Sequence, residues 1–190
     1  MTIDFDAARQ VMVDSQVRPN DVPDLTIQRA MRRVARERFT PEGQGYLAYA
    51  DTEVEYAPGR WLLRPRDVAK MLQTVRPRTG ESALAIAAPY AGAVLAQMGL
   101  AVTTLDTGDL KTLPAGAYDV IVCEGAVAEC PDAWLAGLAQ GGRLAVVVRG
   151  GPVGKLRLYI RSDGELGFRD VFDATPPILT GFEAETRFAF

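Results

Sequence analysis

Histidine is absent from this chain of 190 residues, and cysteine occurs only twice, as Cys123 and Cys130. Without an imidazole the chain cannot use the Ser-His-Asp or Cys-His mechanisms, in which histidine takes up a proton near neutral pH. Two cysteines without histidine are also too few soft ligands for a structural zinc site, and they lack the Cys-x-x-Cys spacing of redox motifs. We therefore expect no metal site, no disulfide and no chemistry that needs an imidazole base.

Long apolar runs and clustered positive charge are missing as well. No run approaches the roughly 20 apolar residues of a membrane-spanning helix, and the first residues, MTIDFDAARQ, are acidic where a signal peptide would be basic. A formal net charge of -3 argues against nucleic acid as a partner, because such proteins bind phosphates through clustered Lys and Arg. The absences predict a cytoplasmic protein that binds neither nucleic acid nor a membrane.

The composition that remains is that of an ordinary globular protein, with 48% hydrophobic and 24% charged residues. A chain of this length fits one domain with a substantial core. We expect residues 1–190 to form that single domain, with residues 1–78 as an extension of helices and short strands packed on a core of residues 79–190.

The extension is predicted from helical spacing and from caps. Apolar residues at helical intervals indicate a helix over Asp4 to Gln16, and Asp24 can cap a second helix with an apolar face around Ile27 and Met31. The arginines of this second segment are expected on its solvated sides: Arg29, Arg32, Arg33, Arg36 and Arg38.

Two short strands joined at Pro58 and Gly59 are predicted between Tyr46 and Pro65, followed by a helix over Pro65 to Val75.

The core has a different pattern, in which short apolar runs lack polar alternation. Such runs predict strands buried on both faces, at Ala83–Ala87, Ala101–Leu105, Val120–Cys123 and Leu144–Val148. Segments of helical character lie between them, at Ala91–Met98 and Pro131–Ala139, so parallel strands with crossover helices are the natural arrangement. Two amphipathic runs at the end, Leu156–Ile160 and Phe168–Phe172 around a Ser-Asp-Gly turn, predict an antiparallel pair.

The first strand-to-helix turn of such a sheet is where phosphate or cofactor contacts are expected. Here that turn, Ala87 to Gly92, contains one glycine, and Pro89 removes an N–H donor. Its alternative interpretation is a plain tight turn packed with alanines. Asp106 ends the next strand and can accept ribose hydroxyls, or equally cap the turn that follows it. Glu124 follows the third strand, where it can face the cleft or solvent.

At these residues the chain resembles the protein-L-isoaspartate O-methyltransferase family. The best match is YDVIVCEGAVAECPDAWLAGLAQGGRLAVVV, Tyr118 to Val148, which is similar to the family's fourth strand, its Gly-Ala loop, its Pro-Asp helix start and the GGR that begins the next strand. Further matches are ERFTPE from Glu37, AYADTEVE from Ala48, AVLA from Ala93 and the N-terminal MVDSQVRP. The resemblance implies an α/β Rossmann-like methyltransferase fold with a mostly parallel sheet, a terminal antiparallel strand pair and an N-terminal helical extension.

The resemblance also implies a cofactor and its contacts. S-adenosylmethionine is the family's methyl donor and isoaspartyl sites of proteins or peptides are its substrates. By position, Ala87 and Ala88 replace the family's glycine-rich turn, Asp106 matches its ribose-binding acid, and Gly125 and Ala126 match the loop beside the methyl group. Leu63 stands where the family has a serine important for the substrate, and a leucine cannot donate a hydrogen bond.

Three functions therefore remain open from the sequence, the last of them a pocket that is retained for a different small molecule. The first is a methyltransferase that acts on isoaspartyl or another carboxylate, a reaction that needs no general base because the carboxylate is already ionised. The second is a catalytically inactive relative that serves as a binding or assembly module. Such a module could form a homo-oligomer through its N-terminal helices or its aromatic tail, Phe182, Phe188 and Phe190.

Overall fold

A six-stranded sheet with the strand order β4-β3-β5-β6-β7-β8 forms the centre of the molecule. The computed structural model describes residues 3–184, so Phe188 and Phe190 lie outside the described residues. The α-helices are α1 (Phe5–Met12), α2 (Leu25–Arg33), α3 (Pro65–Val75), α4 (Pro89–Gln97) and α5 (Asp132–Ala136). The strands are β1 (Val54–Ala57), β2 (Arg60–Leu62), β3 (Ser82–Ile86), β4 (Ala101–Leu105), β5 (Tyr118–Val127), β6 (Leu138–Val148), β7 (Lys155–Ser162) and β8 (Glu165–Asp173).

The direction of the strands confirms the predicted architecture. Strands β4, β3, β5 and β6 are parallel to one another, whereas β7 and β8 add to the sheet in antiparallel fashion. The turn between β7 and β8 has positive φ at Asp163 (52°) and Gly164 (82°), as a two-residue hairpin requires. Strands β1 and β2 form a separate antiparallel hairpin around the predicted Pro-Gly turn.

One strand departs from the prediction that the apolar runs are buried on both faces. Strand β4 lies at the edge of the sheet, with α4 over one of its faces, and Ala101, Thr103 and Thr104 are exposed. An apolar run of five residues does not distinguish a central strand from an edge strand, because β-branched residues suit both positions.

Most predicted helices are present, and nearby residues explain where each of them begins and ends. Asp24 caps α2 by accepting hydrogen bonds from the amides of Thr26 and Ile27, and the helix after β2 spans Pro65–Val75 as predicted. The first helix begins after its cap Asp4 and continues beyond Met12 as a wider turn to Val17. Helix α5 is shorter than predicted because the chain from Leu138 onwards pairs with β5.

Helices α1 to α4 pack on one face of the sheet in a cluster that includes Met12, Ile27, Val68 and Leu95. The other face is covered by α5 and by residues near the C-terminus, with Trp134 fully buried. No helix within residues 3–184 has the length and apolar character needed to cross a membrane.

The prediction that all arginines of this run lie on a solvated face is wrong for Arg36. Its side chain is fully buried, in a short 3₁₀ turn after α2. The guanidinium donates to the backbone carbonyls of Ala48 and Leu63 and stacks on the ring of Tyr90, 4.6 Å from the ring centre. A buried cation thus joins the N-terminal segment to the carboxyl edge of the sheet.

Candidate functional site

The predicted site residues converge at the carboxyl edge of three adjacent strands. Ile86 is paired with Leu105 on one side and with Cys123 on the other, so Ala87, Asp106 and Glu124 lie at the same level. Glu124 is still within β5 and does not follow the strand as predicted, because β5 continues along β6 to Val127. Strand order reverses here, because β4 lies on one side of β3 and β5 on the other. In open α/β sheets this reversal is where ligands bind.

The turn after β3 is tight and buried. Ala87 has φ 44°, and its amide donates to the carbonyl of Leu105 at 2.9 Å. Ala88 is the residue before the first turn of α4, and both alanines have at most 1% of their surface exposed. Pro89 is the first helical residue, where an N–H would have no partner within the helix, so this proline removes little. The turn therefore offers almost no surface to a ligand.

Glu124 faces neither a cleft nor solvent, contrary to both predicted placements. The side chain is fully buried, with Oε1 accepting from the amide of Ala91 at 2.7 Å and Oε2 accepting from the amide of Leu63 at 3.0 Å. Ala91 belongs to the first turn of α4, where free N–H groups and the helix dipole favour a negative charge. The carboxylate of Glu124 thus takes the place at this helix terminus that an external anion could use.

The surroundings of Glu124 set its protonation. Burial raises the pKa of its carboxyl from 4.5 to about 7, while the charge of Arg36 and the two amide hydrogen bonds favour the ionised form. Arg36 and Glu124 both bind the backbone of Leu63, because the carbonyl of Leu63 accepts from the guanidinium and the amide of Leu63 donates to Glu124. The pair is therefore bridged by the backbone of Leu63.

Leu63, which was predicted from the resemblance to stand at the place of the family's serine, contributes only these backbone groups. Its side chain is 1% exposed and belongs to the apolar cluster beneath α3 and the sheet. No hydroxyl is presented at this position, as expected from the residue type.

Asp106 is bound by the hairpin of β1 and β2. The hydroxyl of Tyr56 donates to its Oδ1 at 2.6 Å, and Nη1 of Arg60 lies 3.2 Å from the same oxygen and also donates to the backbone carbonyl of Asp106. Burial and the neighbouring carboxylate raise the pKa of Tyr56, so its hydroxyl stays protonated and remains a donor. The following turn is capped by Asp109 instead, which accepts from the amide of Lys111 and the hydroxyl of Thr112.

Gly125 and Ala126 are covered by a segment that we call the C-terminal strap, Pro176–Phe182. The amide of Ala126 donates to Pro177 at 3.0 Å, and the amide of Leu179 donates to Ala126 at 2.8 Å. Gly125 has φ 140°, and a Cβ added there would lie 2.7 Å from the side chain of Leu179. The strap is therefore in direct contact with the loop that the resemblance places beside a methyl group.

Comparison with known proteins identifies the relatives of this chain. No protein-family model matches it. A protein-L-isoaspartate O-methyltransferase of Methylorubrum populi is 32% identical over 94% of this chain and 98% of its own length. The chain belongs to the protein-L-isoaspartate O-methyltransferase family. A second member, from Rhodopseudomonas palustris, is 32% identical over 76% of this chain and 70% of its own length.

Solved structures agree with the family at the level of the fold. A protein-L-isoaspartate O-methyltransferase of Plasmodium falciparum, solved in complex with S-adenosyl-L-homocysteine, superposes with a TM-score of 0.75 at 15% identity and covers 90% of this chain and 97% of its own. Another member superposes with a TM-score of 0.74 at 20% identity over 92% of this chain and 67% of its own. The Rossmann-like methyltransferase fold is thereby confirmed.

Sequence reasoning did not identify the residues that bind the predicted site residues. A signal existed for Glu124, since a charged residue in the continuous apolar run of β5 needs buried partners. Nothing local indicated Tyr56, Arg60 or Leu179, because their contacts with Asp106 and Gly125 join residues more than 40 positions apart.

Proposed function

We propose that this member of the family is catalytically silent, and that it serves as a binding or assembly module whose own side chains fill the place of S-adenosylmethionine. The observation that carries the proposal is the carboxylate of Glu124 at the strand-order reversal, bound to the amides of Ala91 and Leu63. The internal carboxylate there accepts the amide hydrogen bonds that the carboxylate of a bound cofactor could otherwise accept.

The residues present do not fit the family's cofactor. Ala87 and Ala88 are buried, Asp106 is engaged by Tyr56 and Arg60, and Gly125 lies against Leu179. A nucleoside sulfonium needs exposed backbone at the turn, free carboxylate oxygens for the ribose and open space beside the methyl group. At each of these three places the chain itself covers or contacts the group that the cofactor would use, at Asp106 through Oδ1, so we derive no reaction step through the cofactor.

The energetic cost of opening this arrangement supports the proposal. Hydrogen bonds to a charged group contribute roughly 1.5–3 kcal/mol each, and binding would have to displace those from Ala91, Leu63 and Tyr56. A total cost of about 5 kcal/mol weakens a micromolar ligand to the millimolar range.

The second candidate function is methyl transfer from S-adenosylmethionine to an isoaspartyl carboxylate. It is favoured by the relatives' names over nearly the whole chain and by Asp106, whose side chain keeps 34% of its surface exposed at the carboxyl end of β4. This function requires the β1–β2 hairpin to release Asp106. The absence of histidine is no obstacle, because an ionised carboxylate attacks the methyl group without a base.

Calorimetric titration with S-adenosylhomocysteine separates the two functions. We expect no binding heat from this chain at concentrations at which the Methylorubrum populi relative, titrated in parallel, saturates. Micromolar binding by this chain would contradict the proposal and favour the enzyme, and methylation of an isoaspartyl peptide would then establish the enzymatic function.

A variant with Ala87→Gly, Ala88→Gly and Leu63→Ser tests whether these three side chains alone exclude the cofactor. We expect this variant also to give no binding heat with S-adenosylhomocysteine, because Glu124 and Tyr56 are unchanged in it.

A further inference from the structure

The two edges of the main sheet are protected very differently. Strand β8, at one edge, carries four charged residues among its nine, and its pairing with β7 is interrupted by a register shift. Its charged residues are Glu165, Arg169, Asp170 and Asp173. Charges and bulges of this kind are how proteins prevent a sheet edge from pairing with another chain.

Strand β4, at the other edge, has neither charged residues nor a register shift. Its sequence is AVTTL, its five residues pair with β3 in unbroken register, and Ala101, Thr103 and Thr104 are exposed. Helix α4, which packs over this strand, is equally free of charge in its nine residues, and its exposed positions are Ala96 and Gln97. In a chain with 24% charged residues, this is an uncharged surface of one helix and one strand.

Within residues 3–184, the edge formed by β4 has backbone groups without a partner, at defined positions. The amide of Ala101 donates to Glu81 and the carbonyl of Leu105 accepts from Ala87, both on the β3 side. Because backbone groups alternate along a strand, those of Thr103 also face β3, and the N–H and C=O groups of Val102 and Thr104 face away from the sheet. Four hydrogen-bonding groups are thus presented to a partner.

We propose that β4 pairs antiparallel with β4 of a second copy of this chain, joining two six-stranded sheets across a twofold axis at Thr103. In this register Val102 of each copy lies opposite Thr104 of the other, and each of these pairs exchanges two hydrogen bonds. Thr103 lies opposite itself in the closer, non-hydrogen-bonded pair, where Thr–Thr contacts are favourable.

A second copy fits this surface because of its charge. At a twofold axis every residue approaches its own equivalent, so a charged residue near the axis would meet a like charge. The uncharged surface of β4 and α4 avoids that repulsion. Asp106, the charge that follows β4, is three residues from the axis and is paired within its own chain by Arg60. The contact uses a different part of the molecule from the Glu124 cluster, and it does not depend on whether the cofactor binds.

Sedimentation velocity of the full chain tests the proposal. At about 100 µM, above the dissociation constants of most specific interfaces, we expect twice the monomer mass of 20.6 kDa. Thr103→Lys places two like charges opposite each other and should give the monomer. Thr104→Pro removes an outward N–H while leaving the ladder to β3 intact, and should do the same. Thermal unfolding monitored by circular dichroism verifies that both variants are folded.

The matched control is Gly167→Lys, which places a lysine on the opposite edge strand at a position with open space around it. This variant should remain dimeric. A wild-type chain that sediments at 20.6 kDa would overturn the proposal. A dimer that persists in both β4 variants would overturn it too, because the contact would then involve another surface.

Discussion

Ala87 occupies a backbone conformation that glycine adopts without strain, at φ 44°. For a residue with a Cβ this left-handed region costs roughly 1–2 kcal/mol. The strain is retained here because the amide of Ala87 is held by Leu105 and its methyl group is fully buried. The backbone at Ala87 thus has a bend that suits glycine, while the methyl group of Ala87 fills space that a glycine would leave open.

We predict that Ala87→Gly changes the free energy of unfolding by less than about 1 kcal/mol, because relief of strain offsets the lost methyl contact and the added flexibility of the unfolded chain. Ala88→Gly is the matched control, since Ala88 is equally buried but has φ -135° and no strain to relieve. It should cost at least about 1 kcal/mol more. Urea denaturation measures both, and equal losses would show that Ala87 is not strained.

Glu124 makes the stability of this protein depend on pH in an unusual direction. Its pKa in the folded chain is about 7, above the ordinary 4.5, so between these two values the folded state binds more protons than the unfolded state. The contribution of Glu124 to the free energy of unfolding is therefore largest below pH 4.5, falls as the pH rises to about 7, and is constant above that. The full change is up to about 3 kcal/mol.

The prediction is tested by comparing wild type with Glu124→Gln in urea at several pH values. The difference between their free energies of unfolding should change in this direction between pH 4.5 and 7, because glutamine does not titrate. A constant offset is also expected, since the glutamine NH₂ group must face the amide of Ala91 or Leu63. A difference independent of pH would mean that the carboxyl titrates near its ordinary pKa.

Two elements cover the carboxyl edge of the sheet, and both come from outside the parallel strands. The β1–β2 hairpin brings Tyr56 and Arg60 to Asp106, and the C-terminal strap brings Leu179 to Gly125. The strap is held by backbone hydrogen bonds to Ala126 and, through Phe182, to Ala128. Asp106 and Gly125 are therefore contacted by whole segments of the chain and not only by single side chains.

Gly125→Ala tests whether the strap packs against this loop. The added Cβ would meet Leu179 at 2.7 Å in a backbone with φ 140°, so we expect both overpacking and strain to lower stability. Gly116→Ala is the matched control, because Gly116 has φ 143° but its added Cβ would meet only Tyr118 at 3.7 Å. In urea denaturation, Gly125→Ala should lower the free energy of unfolding by about 1–3 kcal/mol more than the control does. Equal losses would mean that the strap moves away from the added methyl group without cost.

The sequence predicted elements far better than it predicted contacts. Helix α3, the β7–β8 hairpin and the parallel strands follow from spacing, caps and turn residues, all of which are local signals. The exposed edge at β4, the burial of Arg36 and the partners of Glu124 depend on which segments meet in three dimensions. No pattern within a short segment contains that information, so the site residues stay a prediction, and their side-chain partners were not predicted.

The whole molecule retains the family's fold, and in our proposal the chain itself fills the place of the ligand. The apolar clusters on the two sides of the sheet consist mainly of side chains from the strands and the helices packed on them, so the fold does not depend on an open cleft. The division into an extension of residues 1–78 and a core of residues 79–190 stays a prediction.

A residue-resolved binding experiment tests the central claim most directly. ¹H–¹⁵N correlation spectra of the labelled chain, recorded with and without millimolar S-adenosylhomocysteine, report on each amide of the site. We predict unchanged positions for the amides of Ala87, Ala88, Ala91, Asp106 and Gly125, because their surroundings are already filled by the chain. Saturable shifts confined to these amides would contradict the account, since they would show the ligand displacing Glu124 and Tyr56 from the edge of the sheet.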